Sequence, residues 1–397
     1  MRRMARPASA LLFSLTLCSG AFAQLPDTLK IGTLLPMTGG GAILGASYIA
    51  SLQATIKDVN EKGGILGKPI ELVVGDDGGD PTQGVNEARR LAQSVKVNFV
   101  LGSASSTITL AAMPIFTEAK ILQFSSTGAK EATVQRGPYH FSTLSSGGEA
   151  QAANFIDYAL NIAKVKKVSL LADTSPLYRD LVEITQSMAK TRGLTITSAE
   201  AFDPRTPDLL PHLLRARRSG PEMLWMLGLY PIDVITTMKG MKEIGWNAPL
   251  ALGLGGGSQA GALPALMPAD QLLPYTAQVF QSSTYCSNTP LGESSVPKTL
   301  AWLKPRVANF EKQLASGLVS AYDTIMILKQ VYTATGTFDS AVAADWIERN
   351  SDKIQSVQFK FSKPGKAHHF LVGPENMAMS ENAHLKREDG LTKRAGC

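Results

Sequence analysis

The feature that most constrains this chain is a rhythm: short apolar runs of strand length alternate with amphipathic stretches of helical period. Ile49, Leu52, Ile56 and Val59 recur at spacings of one helix face, and Gly63-Gly64 supplies a stop. "PIELVV", Pro69 to Val74, reads as a strand. Val85, Ala88, Leu91, Ala92 and Val95 then mark a second helix face. The rhythm continues through "VNFVLG", a helix from Thr107, "ILQFSS", "KKVSLLAD", "EMLWMLGL" and "PLALGLG". Strands alternating with helices build parallel sheets with right-handed crossovers, so an α/β fold is expected. Ligands of such sheets sit beyond the carboxyl ends of the strands, where strand order reverses. That directs attention to "PMTGGGAILG", "GSASST", "SSTGAK", "ADTSPLY" and "GLYP".

The acidic corner "DDGGDP" lies between a strand and a helix. Asp80 is placed to accept from the first N–H groups of that helix, and Pro81 fits the first helical position. A calcium loop needs alternating ligands and a closing Glu, which this stretch lacks. The corner is therefore read as structural, and no metal is expected.

The N-terminus departs from the rhythm. Residues 1–23 combine a basic start (Arg2, Arg3, Arg6), an apolar run from Ala10 to Leu17 and Ala21-Phe22-Ala23. This is the pattern of a cleaved secretory signal peptide, too short to span a bilayer. A lipoprotein reading through Cys18 is weaker, because Leu17 is a poor residue ahead of such a cysteine. An exported, periplasmic protein is expected. Net charge is +6, and removing the leader's three arginines reduces it. The one dense basic cluster, Arg215 to Arg218, fits a solvated helix end, so nucleic acid is not an expected partner. The chain exceeds what one core usually supports, so two lobes are expected. The two cysteines beyond the leader, Cys286 and Cys397, are expected to pair in an oxidising compartment.

The strings "IGTLLPMTGGGAILG", "DVNEKGGILGKPIELVVGDDGGDP", "FVLGSASST" and "ILQFSSTGA" occur in the order and spacing of one family. The chain resembles the leucine/isoleucine/valine-binding-protein type of solute receptor of bacterial ABC transporters, the type I periplasmic binding fold. The match is dense from Leu29 to Thr133, looser to Phe361, and poor in the C-terminal tail. The resemblance implies two Rossmann-like lobes with parallel sheets, joined by a three-strand hinge and closing on a ligand. Crossovers are placed near Thr143, Phe280 and Ser351. Lobe 1 then comprises 24–143 plus 281–351, and lobe 2 comprises 144–280 plus 352–397. It also implies a small carboxylate-bearing ligand (an organic or aromatic acid, or an amino acid), an inner-membrane ABC permease as partner, a monomer and no cofactor.

Site residues follow from the same resemblance. Ala104, Ser105 and Ser106 lie at the family's carboxylate seat, a helix start with small hydroxyls. Thr127 and Ala129 fall on the second contact loop, Leu44 on the first-loop aromatic position, and Tyr178 and Tyr230 near the cleft tyrosine of lobe 2. The family's first-lobe disulfide positions fall on Gly79 and Ser105, so that bridge is absent. The acid that takes the ligand's ammonium in amino-acid receptors falls on Gly255. A cleft with an anion seat and no cation seat suits a carboxylate without an α-ammonium; the competing reading lets Asp173 reach in.

Two rival functions compete with this reading. A ligand-sensing module would use the same fold. A dinucleotide-dependent enzyme could be read into "GLGGGSQAG", but the full G-x-G-x-x-G is missing. There is no G-x-S-x-G, H-E-x-x-H or Walker lysine motif either, and His368-His369 point apart on a strand. A binding protein rather than an enzyme is expected.

Overall fold

Alternating strands and helices fold as the rhythm requires. The computed structural model describes residues 25–204 and 206–397; the signal peptide expected over 1–23 lies outside the described residues. The first sheet contains β1 (Leu29–Leu34), β2 (Ile70–Val73), β3 (Phe99–Gly102), β4 (Leu122–Ser125), β5 (His140–Ser146) and one late strand. The second contains β6 (Lys167–Asp173), β7 (Thr195–Phe202), β8 (Met223–Leu227), β9 (Leu250–Leu252), β10 (Tyr275–Phe280) and another late strand. After β11 (Thr284–Tyr285), the late strands are β12 (Phe370–Val372), β13 (Met377–Glu381) and β14 (Thr392–Lys393). The orders are β12-β5-β4-β3-β1-β2 and β13-β10-β9-β8-β6-β7. All pairs are parallel except β10–β13. Each lobe reverses strand order at its first strand, so the crevices after β1 and β3, and after β6 and β8, are the natural ligand positions.

Local signals explain the elements. In the helix Ala42–Glu61, the face Ile49, Leu52, Ile56 and Val59 is buried. Gly64 then takes a positive φ, and its N–H reaches back to Val59 O. Asp80 accepts from Gln83 N–H at 2.9 Å and Pro81 opens the next helix. In lobe 2 the rings of Phe155 and Trp225 stack at 3.7 Å, with Trp225 fully buried in the sheet.

The chain passes between sheets after Ser146, after Phe280, and between Val372 and Met377. The third passage corrects the expectation of a crossover near Ser351 and of 352–397 as one lobe-2 segment. Phe359, Phe361, Leu371 and Val372 join the lobe-1 core. The buried carboxylate of Asp323, on the helix Ala315–Thr335, also accepts from Ser356 Oγ–H, Val357 N–H and Gln358 N–H. Apolar burial and three hydrogen bonds hold this stretch to lobe 1. Only from Met377 does the tail join lobe 2, through β13, while β14 pairs with β11. Cys286 and Cys397 form a disulfide that ties the chain end beside β11.

Candidate functional site

The acidic corner turns out to organise the lobe-1 loops. Asp76 accepts from the N–H groups of Met37, Thr38 and Gly78 and from Thr38 Oγ–H. These bonds hold its carboxyl below the usual range despite the opposing effect of burial. Asp77, fully buried, accepts from Gly79 N–H at 2.9 Å and Ser103 Oγ–H at 2.7 Å; burial raises its pKa. Two neighbouring carboxylates thus fasten the loops after β1 and β3 to the end of β2.

Those loops face lobe 2 across a cavity whose empty space, counted out to the solvent, is about 740 Å³. From lobe 1 come Leu44 and Tyr48 on the helix Ala42–Glu61, Ala104, Ser105 and Ser106 after β3, Ser126 after β4, and Ser316 and Ser320 on Ala315–Thr335. Lobe 2 supplies Ser175, Leu177 and Tyr178 after β6, Leu229 after β8, and Leu254, Gly255, Ser258 and Gln259 after β9. Leu144, Ser145, Gln151 and Phe280 line the passages between lobes. Among the described residues, no Asp, Glu, Lys, Arg or His lines this cavity.

The helix Ser106–Glu118 begins at the wall. Its N-cap residue, Ser105, makes no side-chain cap, so the first-turn N–H groups are left for something else to satisfy. Their positive end of the helix dipole favours an anion. On the opposite wall, the Tyr178 hydroxyl accepts from Gly255 N–H at 3.2 Å. A Cβ on residue 255 would lie 2.3 Å from that oxygen, so the phenol occupies the room a side chain there would need. Burial raises the Tyr178 pKa, keeping the phenol neutral. Asp173 does not line the main cavity: its oxygens accept from Ser175 N–H at 2.8 Å and Leu229 N–H at 3.2 Å. Burial pushes its pKa up to about 7 despite those bonds.

Of the residues singled out from sequence, Leu44, Ala104, Ser105, Ser106 and Tyr178 are brought together on the cavity wall. Thr127 and Ala129 are turned inward instead. Thr127 donates its N–H to Ser125 Oγ and accepts from Ala129 N–H, while Ala129 packs with Leu110, Met113 and Ala132. Their neighbour Ser126 takes the wall position. Tyr230 sits at the rim, its hydroxyl 2.9 Å from where a Cβ on Gly79 would lie, and lines two smaller cavities rather than the main one. Nothing in the local sequence marked Gln259, Ser316 or Ser320, which arrive through long-range packing.

Ion pairs also cross between lobes outside the cavity. Lys130, after β4, meets Asp180 at 3.0 Å and Glu183 at 3.1 Å on the lobe-2 helix Pro176–Arg192. Arg179 reaches Glu131 at 3.5 Å.

With this geometry in view, comparisons place the chain among known proteins. A family model described as "Periplasmic binding protein" matches residues 28–374. An "Amino acid binding protein" of Pseudomonas aeruginosa is 26% identical over 330 residues, covering 83% of this chain and 84% of its own. The branched-chain amino acid transporter substrate-binding protein LivJ of Streptococcus pneumoniae, solved with isoleucine, superposes with a TM-score of 0.73 at 18% identity, covering 92% of this chain and 97% of its own. A solute-binding protein of an ABC transporter from Rhodopseudomonas palustris, solved with p-hydroxybenzoic acid, gives a TM-score of 0.71 at 19% identity, covering 93% and 96%.

Proposed function

We propose, from the premise that this chain belongs to the periplasmic binding protein family, that it is the exported receptor of an ABC importer and closes on a small carboxylate lacking an α-ammonium. The family is one of binding proteins, and its leucine/isoleucine/valine-binding type is the one this chain matches. Export through the leader at 1–23 and delivery to an inner-membrane permease belong to the proposal. Two lobes with a cavity between them can report occupancy, because a ligand touching both stabilises the closed form.

One observation carries the ligand class: among the described residues, the cavity lining has a helix N-terminus and serine hydroxyls, but no carboxylate. A carboxylate has a seat in first-turn N–H groups and the Ser105 and Ser106 hydroxyls. An ammonium would be buried without a counter-charge, at a cost of several kcal/mol. Leu44, Leu177, Leu229, Leu254 and Phe280 supply an apolar wall for a ring or branched chain. The fold itself accommodates both classes, since one relative holds isoleucine and another p-hydroxybenzoic acid.

The test is calorimetric titration of ligand-stripped protein with leucine, phenylalanine and their deaminated counterparts, isocaproate and 3-phenylpropionate. Tighter binding of the plain acids is expected; tighter binding of the amino acids overturns the reading. Ser106→Ala is expected to weaken binding of the preferred acid by about 1–3 kcal/mol, the loss of one charge-assisted hydrogen bond. Stability should hardly change, because among the described residues no protein group hydrogen-bonds the Ser106 hydroxyl. An unchanged Kd would remove Ser106 from the site.

A further inference from the structure

Gln259 carries an unmet need. It is buried, and its side-chain Nε2 donates to Leu229 O, which fixes which end of the amide is which. Its Oε1 is buried and has no hydrogen-bond partner among the described residues. Buried acceptors are rarely left so, and leaving one unpaired costs about 1–3 kcal/mol. Gln151 has a similarly unpartnered amide oxygen, but of the two only Gln259 also lines a narrow side cleft beside Leu44, Ala104 and Ser105. Gln259 thus stands across from Ala104 and Ser105, on the opposite lobe, with an acceptor that no protein group satisfies among the described residues.

We infer that the receptor selects 2-hydroxy acids, the hydroxyl beside the carboxylate donating to Gln259 Oε1. This rests on the carboxylate-receptor reading above and deepens it. The required group must donate, because an amide oxygen only accepts. A 2-oxo acid offers a second acceptor to an acceptor and gains nothing. An ammonium could donate, but a neutral amide does not offset the burial of its charge. The one carboxylate lining the side cleft among the described residues, Asp77, is engaged by Gly79 N–H and Ser103 Oγ–H and is itself disfavoured as an anion by burial. Placing the donor on lobe 1's ligand and the acceptor on lobe 2 also makes this hydrogen bond one that forms only when the lobes are closed.

The experiment compares two matched series by calorimetry on the ligand-stripped mature protein. One is 3-phenyllactate, 3-phenylpropionate, phenylpyruvate and phenylalanine; the other is 2-hydroxyisocaproate, isocaproate, 2-oxoisocaproate and leucine. In whichever series fits the pocket, the hydroxy acid should bind about tenfold tighter than the plain acid, the worth of one hydrogen bond to a buried acceptor. The oxo acid should bind no tighter than the plain acid. Gln259→Met should erase the hydroxyl advantage, so that hydroxy and plain acid bind alike, and an unaltered circular dichroism spectrum and cooperative melt certify that the variant folds. Equal binding of hydroxy and plain acids by the unmodified protein overturns the inference, as does an advantage that survives in Gln259→Met, or no binding in either series. The underlying ligand class fails separately, if the amino acids bind tighter than the plain acids.

Discussion

Reduction of the Cys286–Cys397 bridge, or Cys286→Ser, is expected to lower stability by about 4 kcal/mol, near the top of the range for single disulfides. The reason is loop length. The bridge closes a segment with a sequence separation of 111, and the entropy removed from the unfolded chain grows with the logarithm of loop size. In the native state the bridge fastens the chain end, where the short parallel pair β11–β14 has few hydrogen bonds of its own. Loss of the crosslink should therefore show first in the tail, as faster amide exchange around Thr392 and Lys393. Urea unfolding of oxidised and dithiothreitol-treated protein provides the test; coincident midpoints would refute the expected role.

Gly255→Glu, which puts an acid on the lobe-2 wall of the cavity, is expected not to create an amino-acid receptor. The Cβ would lie 2.3 Å from the Tyr178 hydroxyl and 3.0 Å from Gly228 O. Overpacking and an unpaired buried carboxylate together should cost about 3 kcal/mol of stability. A negative charge facing the anion seat should weaken plain-acid binding by about 100-fold or more, equivalent to about 2.7 kcal/mol. Adding Tyr178→Ala removes the collision and should return part of the lost stability, although Gly255 N–H then loses its acceptor. Urea melts and calorimetry on the single and double variants check both parts. A Gly255→Glu protein with unaltered stability and acid affinity would contradict the steric account.

Much of the scaffold could be read in advance because its signals are local. The Ile49-to-Val59 face, the glycine stop at 63–64 and the Asp80 cap each depend on neighbours a few residues away. The third passage between lobes was not legible. The segment 352–369 has no clean period, and what holds it to lobe 1 is a carboxylate on a distant helix, Asp323. The site divides in the same way. Ser105 and Ser106 stand directly after a strand and open a helix, so their place follows from topology. The Ser126 position was displaced by one because the Ser125 and Thr127 hydroxyls bind the loop's own backbone and turn Thr127 inward. Ser316, Ser320 and Gln259 reach the cavity only through packing across long sequence separations, which no local pattern encodes. Gly255 looked like a missing acid; only the fold reveals that Tyr178 occupies its space.

The carboxylates of Asp76 and Asp77 have a consequence for how such a receptor can diversify. Each binds backbone or hydroxyl groups from more than one loop, so altering one loop of lobe 1 disturbs the anchorage of its neighbours. The lobe-1 loops are thereby constrained to change as a unit. The lobe-2 wall is tied together as well: Tyr178, on the helix after β6, accepts from Gly255 N–H, and Gln259, on the helix after β9, donates to Leu229 O after β8. A change of solute is therefore least disruptive at wall positions outside both networks, such as the apolar side chains of Leu44, Leu177 and Leu254, which meet the cavity by packing alone.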